Sequence, residues 1–155
     1  MRQHSGEGEE GVPVVTVIGL WDDAWFESEK TERRIWRQTI EGFGVDEWIM
    51  VPDHKTAVDR PKQMDTIEEA LAACPGKKTF LMLPTTVEGA DLVTYQHQLD
   101  AIYVFGNTAD SLLIHMRPED EALSIYTSNP RGCEMFAHAT LAAVLFSRLA
   151  QERAV

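Results

Sequence analysis

Cysteine, basic residues and long apolar runs are all scarce in this 155-residue sequence. Its two cysteines, Cys74 and Cys133, show neither the spacing of a metal site nor a disulfide framework, so we expect a reducing, cytoplasmic setting. No apolar run approaches the roughly 20 residues that span a bilayer. The first eleven residues lack the apolar segment of a secretory signal. The sequence therefore predicts neither a membrane span nor a signal peptide.

Positive charge is outweighed by negative charge. Lys and Arg number 14 against 25 Asp and Glu, which gives a formal net charge of -11 at pH 7. A protein that binds nucleic acid over a broad surface usually presents a basic face, and this chain can offer such a face only locally. The composition is otherwise globular, with 44% hydrophobic and 25% charged residues, which excludes disordered and collagen-like proteins.

Short apolar runs alternate with helical patterns along the chain. Strands are predicted at 12–19, 47–52, 79–83, 101–105 and 122–126. Helices are predicted over 29–44, over 65–73 with a capping-box-like Asp65 and Glu68, and from Met135 to Gln151. We expect a loop over 53–64, a disordered acidic tail over 1–11, and one domain over 12–155. The alternation predicts an α/β fold, with a parallel sheet flanked by helices.

The last predicted helix is apolar or small on almost every side, since no Asp, Glu, Lys or Arg lies between Glu134 and Arg148. A helix that is apolar all round is buried all round. This pattern predicts packing against both the sheet and a second copy of the protein, or burial within a single chain. We interpret His138, which lies in this helix, as a buried histidine whose ring nitrogens have partners.

Loop-forming residues follow three of the predicted strands. The segments are Leu83-Pro84-Thr85-Thr86, Phe105-Gly106-Asn107-Thr108, and Ile125 followed by TSNPRGCE. Ligands bind at the carboxyl ends of the strands in parallel sheets. This order of strands and loops resembles that of the SPOUT superfamily of methyltransferases. The segments that carry the resemblance are VVTVIGLWDDA, FGVD before EWIMVP, FLMLPTT, IYVFGN and the run into MFAHATLAAVLFSRL. The likeness is to its SpoU/TrmH-like branch in the minimal single-domain form, and it covers about residues 14–150.

The resemblance implies a trefoil knot in the C-terminal half and a homodimer formed through the last helix. It also implies S-adenosylmethionine as cofactor and RNA, either tRNA or rRNA, as the substrate methylated at a ribose 2′-hydroxyl. The implied cofactor contacts, mostly through backbone groups, are Leu83, Pro84, Thr85, Gly106, Ile125 and Cys133. The implied RNA contacts are Arg33, Arg34 and Arg131, and the implied catalytic residue is Arg37.

The densest basic cluster of the chain lies in the first long predicted helix. Its members are Lys30, Arg33, Arg34 and Arg37, which fall on one face at helical spacing. A ribose hydroxyl is a poor nucleophile until a base or a nearby positive charge favours its alkoxide. The cluster is therefore suited to RNA, and it is equally typical of a solvated face paired with Glu27, Glu29 and Glu32.

The catalytic motifs of the family are largely missing. Counting back from Gly44, the places of the first motif's Asn, Gly and Arg hold Glu32, Arg34 and Gln38, with Arg37 one residue from the arginine place. Thr108 stands for the second motif's Glu, and the third motif's Ser-Leu-Asn reads Glu134-Met135-Phe136. Three interpretations stay open: an RNA methyltransferase, a catalytically degenerate SPOUT-like binding or dimerisation module, and an unrelated, unknotted flavodoxin-like nucleotide-binding protein.

Overall fold

The computed structural model describes residues 13–20, 29–51, 62–63, 66–84, 87–106, 112–128 and 137–154. Its strands are β1 (Val15–Leu20), β2 (Glu47–Val51), β3 (Lys62–Gln63), β4 (Thr79–Leu81), β5 (Ala90–Asp91), β6 (Ala101–Phe105) and β7 (Glu121–Ser124). Its α-helices are α1 (Glu29–Gly42), α2 (Ile67–Ala73) and α3 (Ala137–Ala154). Short 3-10 turns occupy Leu92–Thr94 and Leu113–His115.

The strands form one seven-stranded sheet in the order β3-β2-β1-β6-β4-β7-β5. Every pairing is parallel, which confirms the predicted parallel α/β fold. All six residues of β1 are buried, as expected for a strand covered on both faces of a parallel sheet. None of the helices in the described ranges is long and apolar enough to cross a membrane.

The strand order excludes one of the three interpretations. A flavodoxin-like sheet has its main strands in the order 2-1-3-4-5. Counting only strands of three or more residues, the order here is β2-β1-β6-β4-β7. β4 and β6 are the third and fourth of these strands along the chain, and they have exchanged places relative to the flavodoxin order. The flavodoxin-like interpretation is therefore wrong.

The predicted strand positions agree with the structure except at some ends and in two short elements. β6 has the predicted bounds, whereas β4 ends two residues early. The two-residue strands β3 and β5 were not predicted, and β3 falls in the stretch predicted as a loop. Such short strands are defined by their neighbours, β2 and β7, and not by any local period.

The start of α2 is one residue later than the capping pattern predicts. Thr66 is the N-cap: its Oγ1 accepts from the Glu69 backbone N–H at 3.1 Å. The Glu69 carboxylate in turn accepts from the Thr66 backbone N–H at 3.1 Å. The prediction of Asp65 and Glu68 as the capping pair is therefore wrong, because Thr66 and Glu69, each one residue later, form the capping box.

The helices cover the two faces of the sheet. One core cluster joins Trp36 and Ile40 of α1 to Leu141 and Val144 of α3, and a separate cluster contains Ile67 of α2. α1 and α3 therefore pack on one face and α2 on the other. α1 ends before Gly44, whose φ of 68° lies in the left-handed region that favours glycine after a helix.

Within one chain α3 buries a single face. Its buried residues are Ala137, Leu141, Val144, Leu145 and Arg148. Phe146 on the outer side is 62% exposed, so the expected burial on all sides does not occur within one chain. A second copy against the outer side stays a prediction.

Arg148 fastens α3 to the segment before β6. Its guanidinium donates to the carbonyl oxygens of Gln98 and Leu99 at 2.5 and 2.6 Å, and to the Tyr103 hydroxyl at 3.2 Å. We expect Arg148→Ala to lower the free energy of unfolding by about 2–4 kcal/mol, because a buried guanidinium and its hydrogen bonds to three acceptors are lost. Urea denaturation measures this loss. The matched control Arg153→Ala, on the exposed end of α3, is expected to change stability by about 0.5 kcal/mol or less; equal effects would contradict the account.

Candidate functional site

Three of the segments singled out in the sequence meet at one edge of the sheet. β4 lies between β6 and β7, and Leu81 is in register with Phe105 on one side and Leu123 on the other. The residues that follow these strands, Leu83, Gly106 and Ile125, therefore lie at the same carboxyl edge. Leu83, Pro84, Gly106 and Ile125 are all half-buried. Thr85 and Cys133 lie outside the described residues.

The ends of β4 and β7 are locked together beyond the regular pairing. The Met82 backbone N–H donates to the Leu123 carbonyl at 2.9 Å, and the Ser124 hydroxyl donates to the Met82 carbonyl at 2.9 Å. Ser124 is fully buried. These bonds fix Leu83 relative to Ile125. Sequence reasoning missed Ser124, although a polar residue inside the apolar run ALSIY was an available signal.

Gly89 allows its segment to pass closely over β7. A Cβ placed on Gly89 would lie 2.8 Å from the Ser124 Oγ and 3.0 Å from the Ala122 backbone. Tyr126 donates its hydroxyl to the Gly89 carbonyl at 3.0 Å, which holds the segment beside the end of β7. The carboxyl edge is thus tightly packed around β7.

Gly106 has a packing role in the described structure. A Cβ on this residue would lie 3.0 Å from Cγ and 3.2 Å from Cδ1 of Leu112. Leu112, which is buried, therefore rests directly on the Gly106 backbone. A larger residue at position 106 would displace Leu112 from the end of β6.

The basic cluster of α1 does not present one shared face to solvent. Arg33 is 9% exposed, Arg37 is half-buried and Arg34 is exposed. Arg33 lies toward the inner side of α1, because it precedes the core residue Trp36 by three positions. The side chain of Lys30 and the whole of Arg131 lie outside the described residues.

A carboxylate–imidazole pair joins the beginnings of α1 and α3. The His138 Nδ1 lies 3.0 Å from Oε2 of Glu32, and the two side chains are 24% and 12% exposed. The interpretation of His138 as a histidine with a partner is confirmed, although the ring is only partly buried. Glu32 is the residue at the place of the first motif's Asn.

Trp36 connects this pair to the end of β6. Its indole meets the Phe105 ring edge-on, with centroids 6.1 Å apart, and stacks on Trp48 at 6.2 Å. Phe105 immediately precedes Gly106. α1 is therefore held against the strand that carries the candidate site.

A second polar group lies at the opposite end of β6. The His97 ring contacts the Tyr103 hydroxyl at 2.7 Å through Nδ1 and the Ser147 hydroxyl at 3.0 Å through Nε2. Burial, with a smaller effect from the Arg148 cation, lowers the pKa of His97 from 6.5 to about 4. Because this ring lies near the amino end of β6, it is separate from the carboxyl edge. Its contacts join the segment before β6 to α3.

The lowered pKa of His97 makes stability depend on pH. Between pH 6.5 and about 4, the unfolded chain binds a proton that the folded chain does not, so stability is full above this window and falls as the pH falls through it. Replacing His97 with Gln should flatten that fall by up to about 1.4 kcal/mol per pH unit. Urea unfolding at several pH values measures the slope. An unchanged slope in the variant would contradict the assignment.

Comparisons with known proteins find likeness in structure and not in sequence. No protein-family model and no curated protein matches the chain. A solved structure described as giving insight into the 2-OH methylation of C/U34 on tRNA matches with a TM-score of 0.70 at 12% identity, over 94% of this chain and 100% of the other.

A second match is the SpoU methyltransferase AviRb from Streptomyces viridochromogenes in complex with AdoMet. The TM-score is 0.65 at 11% identity, over 93% of this chain and 62% of AviRb. Identities this low establish the fold alone. The chain therefore has the α/β fold of the SpoU/TrmH-type RNA methyltransferases, as the sequence resemblance implied.

Proposed function

We propose that this protein is an S-adenosylmethionine-dependent RNA methyltransferase that acts on a ribose 2′-hydroxyl of tRNA or rRNA. One observation carries the proposal: the ends of β4, β6 and β7 bring Leu83, Gly106 and Ile125 to one edge. These are residues that the resemblance assigns to the cofactor. The SpoU-type fold of the chain supports the same conclusion.

The described residues fit an adenosine-containing cofactor. Leu83, Pro84 and Ile125 offer half-buried apolar surface at strand ends, which suits a purine ring. Leu112 packs directly on the Gly106 backbone, an approach that the missing side chain of glycine allows. Leu83, Pro84, Gly106 and Ile125 would hold the cofactor with Thr85 and Cys133. When bound, S-adenosylmethionine supplies an electrophilic methyl group.

The acceptor side of the site is assigned to α1. Arg37 is the proposed catalytic residue, whose positive charge favours the alkoxide of the ribose hydroxyl. Arg34 is exposed and suited to a phosphate, and Arg131 completes the proposed RNA contacts. Arg33, only 9% exposed on the inner side of α1, offers RNA little surface. Because the net charge is -11, we expect RNA to touch a small local surface. The protein would act in the cytoplasm.

Arg37→Ala is expected to weaken RNA binding about tenfold without unfolding the protein, since one phosphate-neutralising charge is lost. The slope of the logarithm of affinity against the logarithm of salt concentration should become shallower by about one, because about one counterion fewer is released. Fluorescence anisotropy with labelled tRNA at several salt concentrations measures both. Arg153→Ala at the far end of α3 is the control. Unchanged affinity in the Arg37 variant would remove Arg37 from the RNA site.

The sheet order supports a knotted C-terminal half. β7 lies between β4 and β5, and Gly89, which precedes β5, packs closely on Ala122 and Ser124 of β7. We also propose a homodimer through α3, whose outer side carries the exposed Phe146. Both features belong to the same proposal, because the resemblance links the knot and the dimer to the cofactor site.

A second candidate is a SPOUT-like binding or dimerisation module without catalysis. It is favoured by Glu32, Gln38 and Thr108 at the places of catalytic motif residues. Incubation with methyl-labelled S-adenosylmethionine and a pool of unmodified tRNA transcripts separates the two. The enzyme should leave label in RNA at linkages that resist alkali, since a 2′-O-methyl group blocks cleavage there. Cofactor binding without label in any RNA would favour the module.

A further inference from the structure

Glu32 and His138 form an ion-pair-type contact that none of the assigned roles uses. The Nδ1 to Oε2 distance is 3.0 Å, and little of either side chain reaches solvent. The two residues are 106 positions apart in the chain. Each lies in the first turn or so of its helix, and both helices begin at the carboxyl edge of the sheet, because each follows the carboxyl end of a strand.

The helix turns that carry this pair pack against the strands that end at the candidate site. Trp36, one helical turn after Glu32, contacts Phe105 immediately before Gly106. Ala137, immediately before His138, belongs to the same core cluster, and Ile125 packs against that cluster. Through these neighbours the pair is linked to the ends of both β6 and β7.

A carboxylate at Nδ1 prepares an imidazole to accept a proton at its other nitrogen. The carboxylate favours the tautomer with the proton on Nδ1, which leaves the lone pair on Nε2, and it stabilises the imidazolium that forms. A ribose hydroxyl requires such an acceptor, because it is a weak nucleophile at its ordinary pKa. Glu32 stands where the family's first motif has Asn, so a proton-accepting pair occupies the place of a lost catalytic group.

We propose that His138 is the proton acceptor for the acceptor hydroxyl and that Glu32 is its positioning residue. In the step, the O–H bond breaks, its electron pair stays on oxygen, and the proton forms a bond with Nε2 of His138. The imidazolium is then held by the Glu32 carboxylate. This inference rests on the proposed function, because it requires a hydroxyl acceptor, and it assigns the proton to a different residue from Arg37.

The chain offers a matched control for the pair. His115 Nδ1 lies 3.1 Å from Oε2 of Glu68, almost the same distance, but the Glu68 side chain is 70% exposed. Glu68→Gln therefore removes an equivalent carboxylate from a surface pair. Methyl transfer to the tRNA pool is measured for this control and for His138→Gln, Glu32→Gln and Glu32→Asp, with S-adenosylmethionine affinity measured in parallel.

We expect His138→Gln to lose about 100-fold or more in transfer rate, as for removal of a general base. Glu32→Gln should lose about tenfold, Glu32→Asp should recover part of it, and cofactor affinity should hold in every variant. ¹⁵N NMR of the His138 ring should show the proton on Nδ1 in the wild type and a shift toward the other tautomer in Glu32→Gln, with no shift in Glu68→Gln.

Two failures can be told apart. If the wild type methylates RNA and His138→Gln does so equally fast, the proton-acceptor role is overturned while the proposed function stands. The same holds if the wild-type ring carries its proton on Nε2. If the wild type transfers no methyl group to any RNA, the proposed function fails, and the role of His138 fails with it.

Discussion

Gly106→Val is expected to weaken S-adenosylmethionine binding about ten- to hundredfold. A Cβ at this position would lie 3.0 Å from the Leu112 Cγ, so valine forces Leu112 and the adjoining backbone away from the end of β6. Overpacking of this kind costs about 1–3 kcal/mol. When it distorts backbone that contacts a ligand, the cost appears in affinity, and calorimetric titration of both proteins measures it.

A matched glycine substitution separates this effect from a general loss of stability. Gly42, at the end of α1, has nothing within 4 Å of a built Cβ. Gly42→Val should bind the cofactor like the wild type. Thermal unfolding with and without cofactor completes the test, because a bound ligand raises the midpoint. Wild-type affinity in Gly106→Val would mean that the cofactor does not depend on the end of β6.

Trp36→Ala is expected to be the most destabilising single change considered, with a loss of about 3–5 kcal/mol. The Trp36 side chain is fully buried, stacks on Trp48 and meets Phe105 edge-on. Its removal leaves a large cavity between α1 and the sheet. For a chain of this length the midpoint of thermal unfolding should fall by about 10 °C or more.

Trp36→Phe tests whether the ring or its N–H matters. The Trp36 Nε1 is buried and has no hydrogen-bond partner in the described part of the chain, so phenylalanine removes an unsatisfied donor along with some volume. We expect Trp36→Phe to cost less than half as much as Trp36→Ala. Equal losses would show that the N–H is bonded in solution.

Most of the sheet could be predicted because its strands carry their own signal. β6 is an apolar run that ends at Gly106, and its predicted bounds are those of the structure. β3 and β5 have two residues each and owe their conformation to β2 and β7. Only the tertiary structure defines them.

The candidate site was predictable where it follows from strand ends. Leu83, Gly106 and Ile125 come together because parallel strands share an edge. The burial of Arg33 was missed, although its spacing from Trp36 and Ile40 indicates the inner side of α1. The Glu32–His138 contact could not be predicted, since it depends on how α1 and α3 pack across the same face of the sheet.

Titration of the wild-type protein with S-adenosylmethionine by calorimetry tests the central claim most directly. The account predicts micromolar binding, with one site per chain. Such binding would place this chain with the enzymes whose fold it has and would justify the search for its RNA. No detectable heat at millimolar cofactor would contradict the account and leave a binding or dimerisation module as the function of the fold.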